Sequence, residues 1–321
     1  MTGFSSNILA GKVGLVTGAG SPYGIGRSLV LGLAAAGARA VYATDLTLAH
    51  IPSLQEEVAQ SGSQCRVHGV VLDVTDEAQT IEVLKGVIAE YGQLDFYFAN
   101  AGVGRYVPLQ ETDAAYYDKM ISVMQRSFFL AIRYGGQAMC NTSASKPKPG
   151  GSIIVTSSMA SVSGSVSDIS YCKYSPIHPP SYSLMKKLTE RTKTATAKAA
   201  AANMVRPASV QLSASNIRVN SISPGFVRSS IISSTSTTDA SKAYTREDAE
   251  KAFNSTLGLL ANDRYYYERI PEPEEVAHIG VFLASELSAS VNAQNIVADS
   301  GKTAAGAGEG IIGPVAAMQP L

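Results

Sequence analysis

The 321-residue sequence has few cysteines and few charged residues. Its three cysteines, Cys65, Cys140 and Cys172, form no CxxC pair and are too scattered for a disulfide framework. We therefore expect free thiols in a reducing compartment. Charged residues make up 16% of the chain and hydrophobic residues 45%, a balance that excludes an intrinsically disordered protein.

The charges that are present show no excess of either sign. Lys and Arg number 26, as do Asp and Glu. We therefore expect a small-molecule substrate as partner, with no nucleic acid and no membrane. No apolar run approaches the ~20 residues of a membrane helix, and no basic segment followed by an apolar run marks a secretion signal. Together these absences predict a cytoplasmic protein.

Short apolar runs alternate with helix-length segments along most of the chain. Helix candidates include residues 27–36, 78–91 and 116–138. This alternation predicts a single α/β domain over residues 1–321, with a Rossmann-like, doubly wound, mostly parallel sheet of about seven strands and helices on both faces. The strand candidates are Val13–Thr17, Ala40–Thr44, Val67–Leu72, Leu94–Ala99, Ser152–Thr156, Ile217–Ile222 and Asn295–Ala298.

Several segments interrupt the alternation. Residues 168–180 contain three prolines and cannot be helical throughout. Residues 195–202 are alanine-rich and predict a helix, and the sequence predicts insertions at 168–180 and 203–215. Residues 229–269 are expected on the substrate side. Residues 306–321, rich in Gly and Ala, are predicted to form a flexible tail.

A glycine-rich turn follows the first strand candidate. Glycines allow a backbone to approach a pyrophosphate closely, and the N-terminus of the next helix offers free N–H groups to that anion. Asp45 ends the second strand candidate, 19 positions beyond Gly26, where a carboxylate bonds a ribose diol and repels a 2′-phosphate. The sequence therefore favours NAD(H) over NADP(H). Candidate cofactor-binding residues in the turn are Gly18, Gly20, Tyr23, Gly24, Ile25 and Gly26.

Ordered motifs from about Gly11 to about Thr303 resemble the short-chain dehydrogenase/reductase family. The glycine turn is similar to the family's TGxxxGxG motif: either Thr17-Gly18 and Gly24-Ile25-Gly26 match its ends with two extra residues between them, or residues 20–26 supply the spacing. Other segments resemble the adenine-contacting aspartate and its neighbour, the NNAG motif and the PGxVxT segment. The resemblance implies further cofactor contacts by Asp73, Val74, Asn100, Ala101, Gly102, Pro224, Gly225, Val227 and Ser229.

The family's chemistry uses a serine together with a tyrosine and a lysine in YxxxK spacing, which puts the last two on one helix face. Tyr182 and Lys186 have this spacing, and Ser158 follows a strand candidate whose carboxyl end should line the ligand crevice. By this resemblance Ser158 bonds the substrate oxygen and Tyr182 moves the proton. Lys186 lowers the tyrosine pKa and holds the nicotinamide ribose.

Two departures from the family pattern bear on this catalytic assignment. Tyr182 lies 24 residues after Ser158, whereas Tyr171 lies at thirteen, the usual family spacing. Because Ser175 rather than a lysine follows Tyr171 by four positions, Tyr182 is the preferred tyrosine and Tyr171 the alternative. Met124 occupies the place of a family asparagine that holds a relay water. Either other groups hold that water, turnover is slowed, or the chemistry has changed.

The predicted function is hydride transfer between NAD(H) and a secondary alcohol or ketone. The alternatives are a family scaffold used for a non-redox reaction, of the cyclase or isomerase type, and a non-enzymatic NAD(H)-binding protein. The family resemblance implies a homodimer or homotetramer. The four histidines show no ligand spacing, so no metal site is predicted.

Overall fold

A computed structural model describes residues 7–103, 112–162, 195–229, 247 and 271–304. The strands are β1 Val13–Thr17, β2 Ala40–Asp45, β3 Arg66–Val71, β4 Phe96–Ala99, β5 Gly151–Thr156, β6 Ile217–Pro224 and β7 Asn295–Ala298. These seven strands form one sheet in the order β3-β2-β1-β4-β5-β6-β7, and every pairing is parallel. The predicted α/β class is therefore confirmed.

Helices cover both faces of this sheet. The helices are α1 Ile25–Ala35, α2 Ile51–Gln60, α3 Glu77–Tyr91, α4 Ala114–Ile121, α5 Ser127–Met139, α6 Ala195–Leu212 and α7 Pro273–Ala284. The cores on the two faces are distinct: one contains side chains of α1, α2 and α7, the other side chains of α3, α5 and α6.

The apolar runs of the central strands follow from this double coverage. In β4, Phe96 and Phe98 belong to one core and Tyr97 to the other, because successive side chains of a strand point to opposite faces. All three are buried, and each such burial contributes roughly 1.5–3 kcal/mol. Central strands of this sheet therefore need apolar residues at consecutive positions.

Two helix predictions differ from the structure. The single helix expected over 116–138 is interrupted by a π-helical turn, Ser122–Arg126, between α4 and α5. The helix expected over 195–202 continues to Leu212 and packs on the sheet, so most of 203–215 is helical. No helix in the described ranges is long and apolar enough to cross a membrane.

The strand order creates a crevice at one end of the sheet. From β1 the chain proceeds outward through β2 and β3, then returns to place β4 on the other side of β1. Ligands of open α/β sheets bind at the carboxyl ends of the strands beside such a reversal. Thr17 and Ala99 end β1 and β4 at this point.

Candidate active site

The glycine turn lies in the crevice and leaves no room for side chains at two positions. Gly18 has a φ of +72°, and a Cβ there would lie 2.8 Å from the Cα of Ala101. A Cβ on Gly26 would lie 2.0 Å from the carbonyl oxygen of Gly18. The backbone of the turn is therefore folded tightly against the start of α1, as close approach to a pyrophosphate requires.

The N-terminus of α1 is suited to bind an anion. Gly24 is its N-cap, no side chain caps it, and its first turn contains no acidic residue. Backbone N–H groups at such an end bind phosphate groups. Next to this end, the Tyr23 hydroxyl donates a hydrogen bond to Glu272 at the start of α7. This hydrogen bond connects the enlarged turn to α7, the last α-helix among the described residues.

Asp45 is positioned by the glycine turn itself. Its Oδ2 accepts a hydrogen bond from the Gly20 amide at 2.8 Å, and its Oδ1 accepts one from Leu46 at 2.8 Å. Burial raises the pKa of Asp45, while both amides act in the opposite direction. Arg27, in the first turn of α1, is paired with Glu57 at 2.8 Å. The arrangement places a carboxylate at the end of β2 and keeps the guanidinium occupied elsewhere.

The predicted adenine contacts follow β3. Asp73 accepts hydrogen bonds at one carboxylate oxygen from the Thr75 amide, at 2.9 Å, and from the Thr75 hydroxyl, at 2.7 Å. Its own amide donates to the Gln79 side chain. Asp73 and Val74 are partly exposed, so both remain accessible at the rim of the crevice.

Asn100 connects the ends of three strands. Its Nδ2 donates to the Thr17 carbonyl at 3.0 Å, and its Oδ1 accepts a hydrogen bond from the Thr156 hydroxyl at 3.0 Å. The amide of Ala101 donates to the Thr17 hydroxyl. These bonds fix β1, β4 and β5 relative to each other, and Gly102 follows at the same edge.

Ser158 and Ser157 point in different directions after β5. The Ser158 hydroxyl accepts a hydrogen bond from the Ala160 amide and is partly exposed. Ser157 is buried, and its hydroxyl donates to the carbonyl of Lys198 at 2.7 Å. The Ser158 hydroxyl is therefore the one that can reach a ligand in the crevice.

The Pro-Gly segment follows β6 on the same edge. Pro224 ends β6, and the Gly225 amide donates to the Ala298 carbonyl of the neighbouring strand. Val227 and Ser229 are buried. Tyr171, Tyr182 and Lys186, together with residues 168–180, 230–246, 248–269 and 306–321, lie outside the described residues.

Met124 is fully buried within the π-helical turn. It packs in an apolar cluster with Met120 and Ala197, and its Cγ is 4.0 Å from the position that a Cβ on Gly102 would occupy. A thioether is only a weak hydrogen-bond acceptor and donates none. Met124 thus brings apolar surface, with no relay group, to the edge of the site.

Sequence analysis missed one ionisable group at this edge, Lys198. In the sequence Lys198 is a single charge within the apolar, alanine-rich start of α6, which by itself does not indicate that the side chain is buried. Among the described residues, no group of three or more His, Cys, Asp or Glu side chains could hold a metal ion.

Comparison with known proteins identifies the family. The protein-family model described as short chain dehydrogenase matches residues 12–173. A second family model, described as enoyl-(acyl carrier protein) reductase, matches residues 180–303. The chain belongs to the short-chain dehydrogenase/reductase family. Family members of this kind bind nicotinamide cofactors and act on small molecules, and the curated relatives are mostly dehydrogenases and reductases.

Several relatives match over nearly their whole length. The chain is 30% identical to a 3-oxoacyl-acyl-carrier-protein reductase of Thermotoga maritima, over 91% of this chain and 98% of the relative. It is 29% identical to a (+)-cis,trans-nepetalactol synthase of Nepeta racemosa, over 91% and 92%. The solved structure of levodione reductase superposes with a TM-score of 0.71 at 25% identity, over 92% and 99%. A gluconate 5-dehydrogenase structure from Beutenbergia cavernae, described as holding NADP at low occupancy, gives 0.67 at 25% identity, over 92% and 98%.

Met124→Asn is expected to raise turnover roughly tenfold, which corresponds to ~1.4 kcal/mol of activation free energy. An amide at this position can hold a water molecule for proton transfer, whereas the thioether cannot. The buried amide should also lower the thermal midpoint. Steady-state kinetics of Met124→Asn and Met120→Asn test this, because Met120 belongs to the same cluster. Equal turnover in both variants and the wild type would show that the lack of a hydrogen-bonding group at position 124 does not limit turnover.

Proposed function

We propose that this protein transfers a hydride between NAD(H) and a secondary alcohol or ketone. One observation carries the proposal: a glycine turn without room for side chains, with Asp45 bonded to it, follows β1 at the same edge of the sheet where Ser158 follows β5. The dinucleotide, when bound, would supply or accept the hydride. The enzymes among the relatives support an oxidoreductase.

Residues of the chain would bind the cofactor, bind the substrate oxygen and move the proton. The α1 N-terminus and the glycine turn bind the pyrophosphate, Asp45 bonds the adenosine ribose, and the segment after β6 covers the nicotinamide side. The Ser158 hydroxyl donates a hydrogen bond to the substrate oxygen where negative charge develops. A tyrosine, Tyr182 or Tyr171, would move the proton, with a lysine ammonium group nearby to favour its phenolate.

NAD(H) is proposed over NADP(H) on the basis of charge. A carboxylate at Asp45 would repel a 2′-phosphate, and the Arg27 guanidinium is held by Glu57 and by the His50 carbonyl. The neighbouring residue, Leu46, is exposed and uncharged. A homodimer or homotetramer is proposed from the family resemblance alone.

A second candidate is a non-redox reaction on the same scaffold. Met124 favours it, because a site without the relay group is less suited to proton exchange with solvent. One similar chain is named as a nepetalactol synthase rather than as a dehydrogenase or reductase. This candidate predicts product formation without net change in the cofactor.

The stoichiometry of cofactor and product tests the proposal. The protein is incubated with NADH and a panel of ketones, while absorbance reports cofactor oxidation and mass spectrometry reports product. One alcohol formed per NADH oxidised supports hydride transfer. Product formed at constant NADH contradicts it and supports the non-redox candidate.

A further inference from the structure

A lysine that no motif assigns is buried at the carboxyl edge of the sheet. Lys198 lies in the first turns of α6 and is 7% exposed. Its Nζ donates a hydrogen bond to the Thr156 carbonyl at 2.5 Å and lies 4.9 Å from the centre of the Phe128 ring. Across the described ranges, none of the ion pairs includes Lys198. Burial lowers the pKa of Lys198 to about 7.

Stability alone does not account for this lysine. An ammonium group removed from water without a carboxylate partner carries a desolvation cost that one carbonyl and one ring face offset only in part. Met124 and Ala197 form an apolar surface nearby, which an aliphatic side chain would suit better. Buried lysines with a lowered pKa are characteristic of functional sites.

The ammonium group of Lys198 faces the candidate site. It lies 3.6 Å from the position that a Cβ on Gly102 would occupy. Its acceptor, Thr156, is the last residue of β5, two positions before Ser158, and the Thr156 hydroxyl donates to Asn100. An ammonium group has three N–H donors, and among the described residues the Thr156 carbonyl accepts from one of them. The other two can serve hydroxyl groups of a ligand.

We propose that Lys198, rather than Lys186, supplies the ammonium group of the active site. It would hold hydroxyl groups of the bound nucleotide and favour the phenolate of the reacting tyrosine by its charge. The second role rests on the proposed function, and the first does not.

The spacing of the sequence agrees with this assignment. Tyr171, thirteen residues after Ser158, lacks a lysine four positions later, and residues 172–194 separate it from Ala195. Without those residues Tyr171 would precede Lys198 by four positions, which is the YxxxK spacing. The first family match also ends at residue 173, inside this region. The chain between Tyr171 and α6 therefore has the character of an insertion that splits the motif.

Paired variants decide between the two lysines. Lys198→Met is expected to weaken NADH binding at least tenfold and to reduce turnover at least 100-fold, without lowering the thermal midpoint at pH 7, because it removes a buried charge. Lys186→Met is expected to leave NADH affinity and turnover within twofold of the wild type. Nicotinamide fluorescence, steady-state kinetics and calorimetry measure these effects. The reverse pattern, with Lys186→Met impaired and Lys198→Met unchanged, would overturn the proposal.

Deletion of residues 172–194 provides a second test, because it removes both Tyr182 and Lys186. The deletion variant is expected to bind NADH with wild-type affinity and to retain turnover, because it keeps Tyr171 and places it four positions before Lys198. A folded deletion variant that no longer binds NADH would contradict the proposal. A wild type that converts no alcohol or ketone would refute the proposed function, while the NADH affinities of the two lysine variants would still decide the question of Lys198.

Discussion

Gly26→Ala is expected to weaken NADH binding by roughly 100-fold or more, which corresponds to ~2.7 kcal/mol. The added Cβ would lie 2.0 Å from the Gly18 carbonyl oxygen and 2.7 Å from its carbonyl carbon. Both are backbone atoms, so the substitution must displace the turn itself. The Asn100 side chain, 2.9 Å away, would move as well. The backbone N–H groups of the turn would then no longer point together toward a bound pyrophosphate.

Fluorescence titration with NADH measures this loss, and Gly86→Ala is the matched control. Gly86 lies inside α3, where an added Cβ has no neighbour within 4 Å. That variant should bind NADH normally and gain roughly 0.5–1 kcal/mol of stability from helix propensity. Wild-type NADH affinity in Gly26→Ala would show that the glycine turn does not bind the cofactor.

Ser158→Ala is expected to lower turnover by about 10²–10³-fold, the usual cost of removing one hydrogen-bond donor to a developing oxyanion. The NADH affinity should change little, since the proposed role of Ser158 is a hydrogen bond to the substrate oxygen rather than to the dinucleotide. Loss of its bond from the Ala160 amide should cost on the order of 1 kcal/mol of stability. Kinetics at saturating cofactor, with a thermal midpoint for each variant, separate the two effects.

The control for this variant is Ser161→Ala, at the other end of the same short turn. The Ser161 hydroxyl pairs with that of Ser223 at 3.1 Å. Its loss should leave turnover within about twofold while changing stability slightly. Unchanged turnover in Ser158→Ala would show that a group other than Ser158 stabilises the oxyanion.

Sequence patterns predicted the sheet well because the signal in a doubly covered strand is local. The first and last strand candidates, Val13–Thr17 and Asn295–Ala298, match β1 and β7 residue for residue. Apolar runs between polar turns set those limits. Helix interruption was harder to foresee, since the π-helical turn at Ser122–Arg126 contains neither proline nor glycine.

The candidate site was predictable where one backbone feature defines it. A glycine is needed where the backbone packs closely against a neighbouring backbone segment, so the sequence alone indicates Gly18 and Gly26 as such positions. Lys198 could not, because its significance depends on burial and on Thr156, 42 residues away. A YxxxK search instead selects Tyr182 and Lys186, since it evaluates spacing along the chain and not contact across it. In the proposed assignment, residues 172–194 separate Tyr171 from Lys198, so a YxxxK search does not find that pair.

Titration with NADH and with NADPH most directly tests the claim that this crevice binds a dinucleotide through Asp45. The wild type should bind NADH in the micromolar range and NADPH at least tenfold more weakly. Asp45→Ala should lose this discrimination. Asp45→Asn, which keeps an acceptor for the Gly20 amide but removes the charge, should bind NADPH more tightly than the wild type. Binding of neither dinucleotide by the wild type would contradict the account.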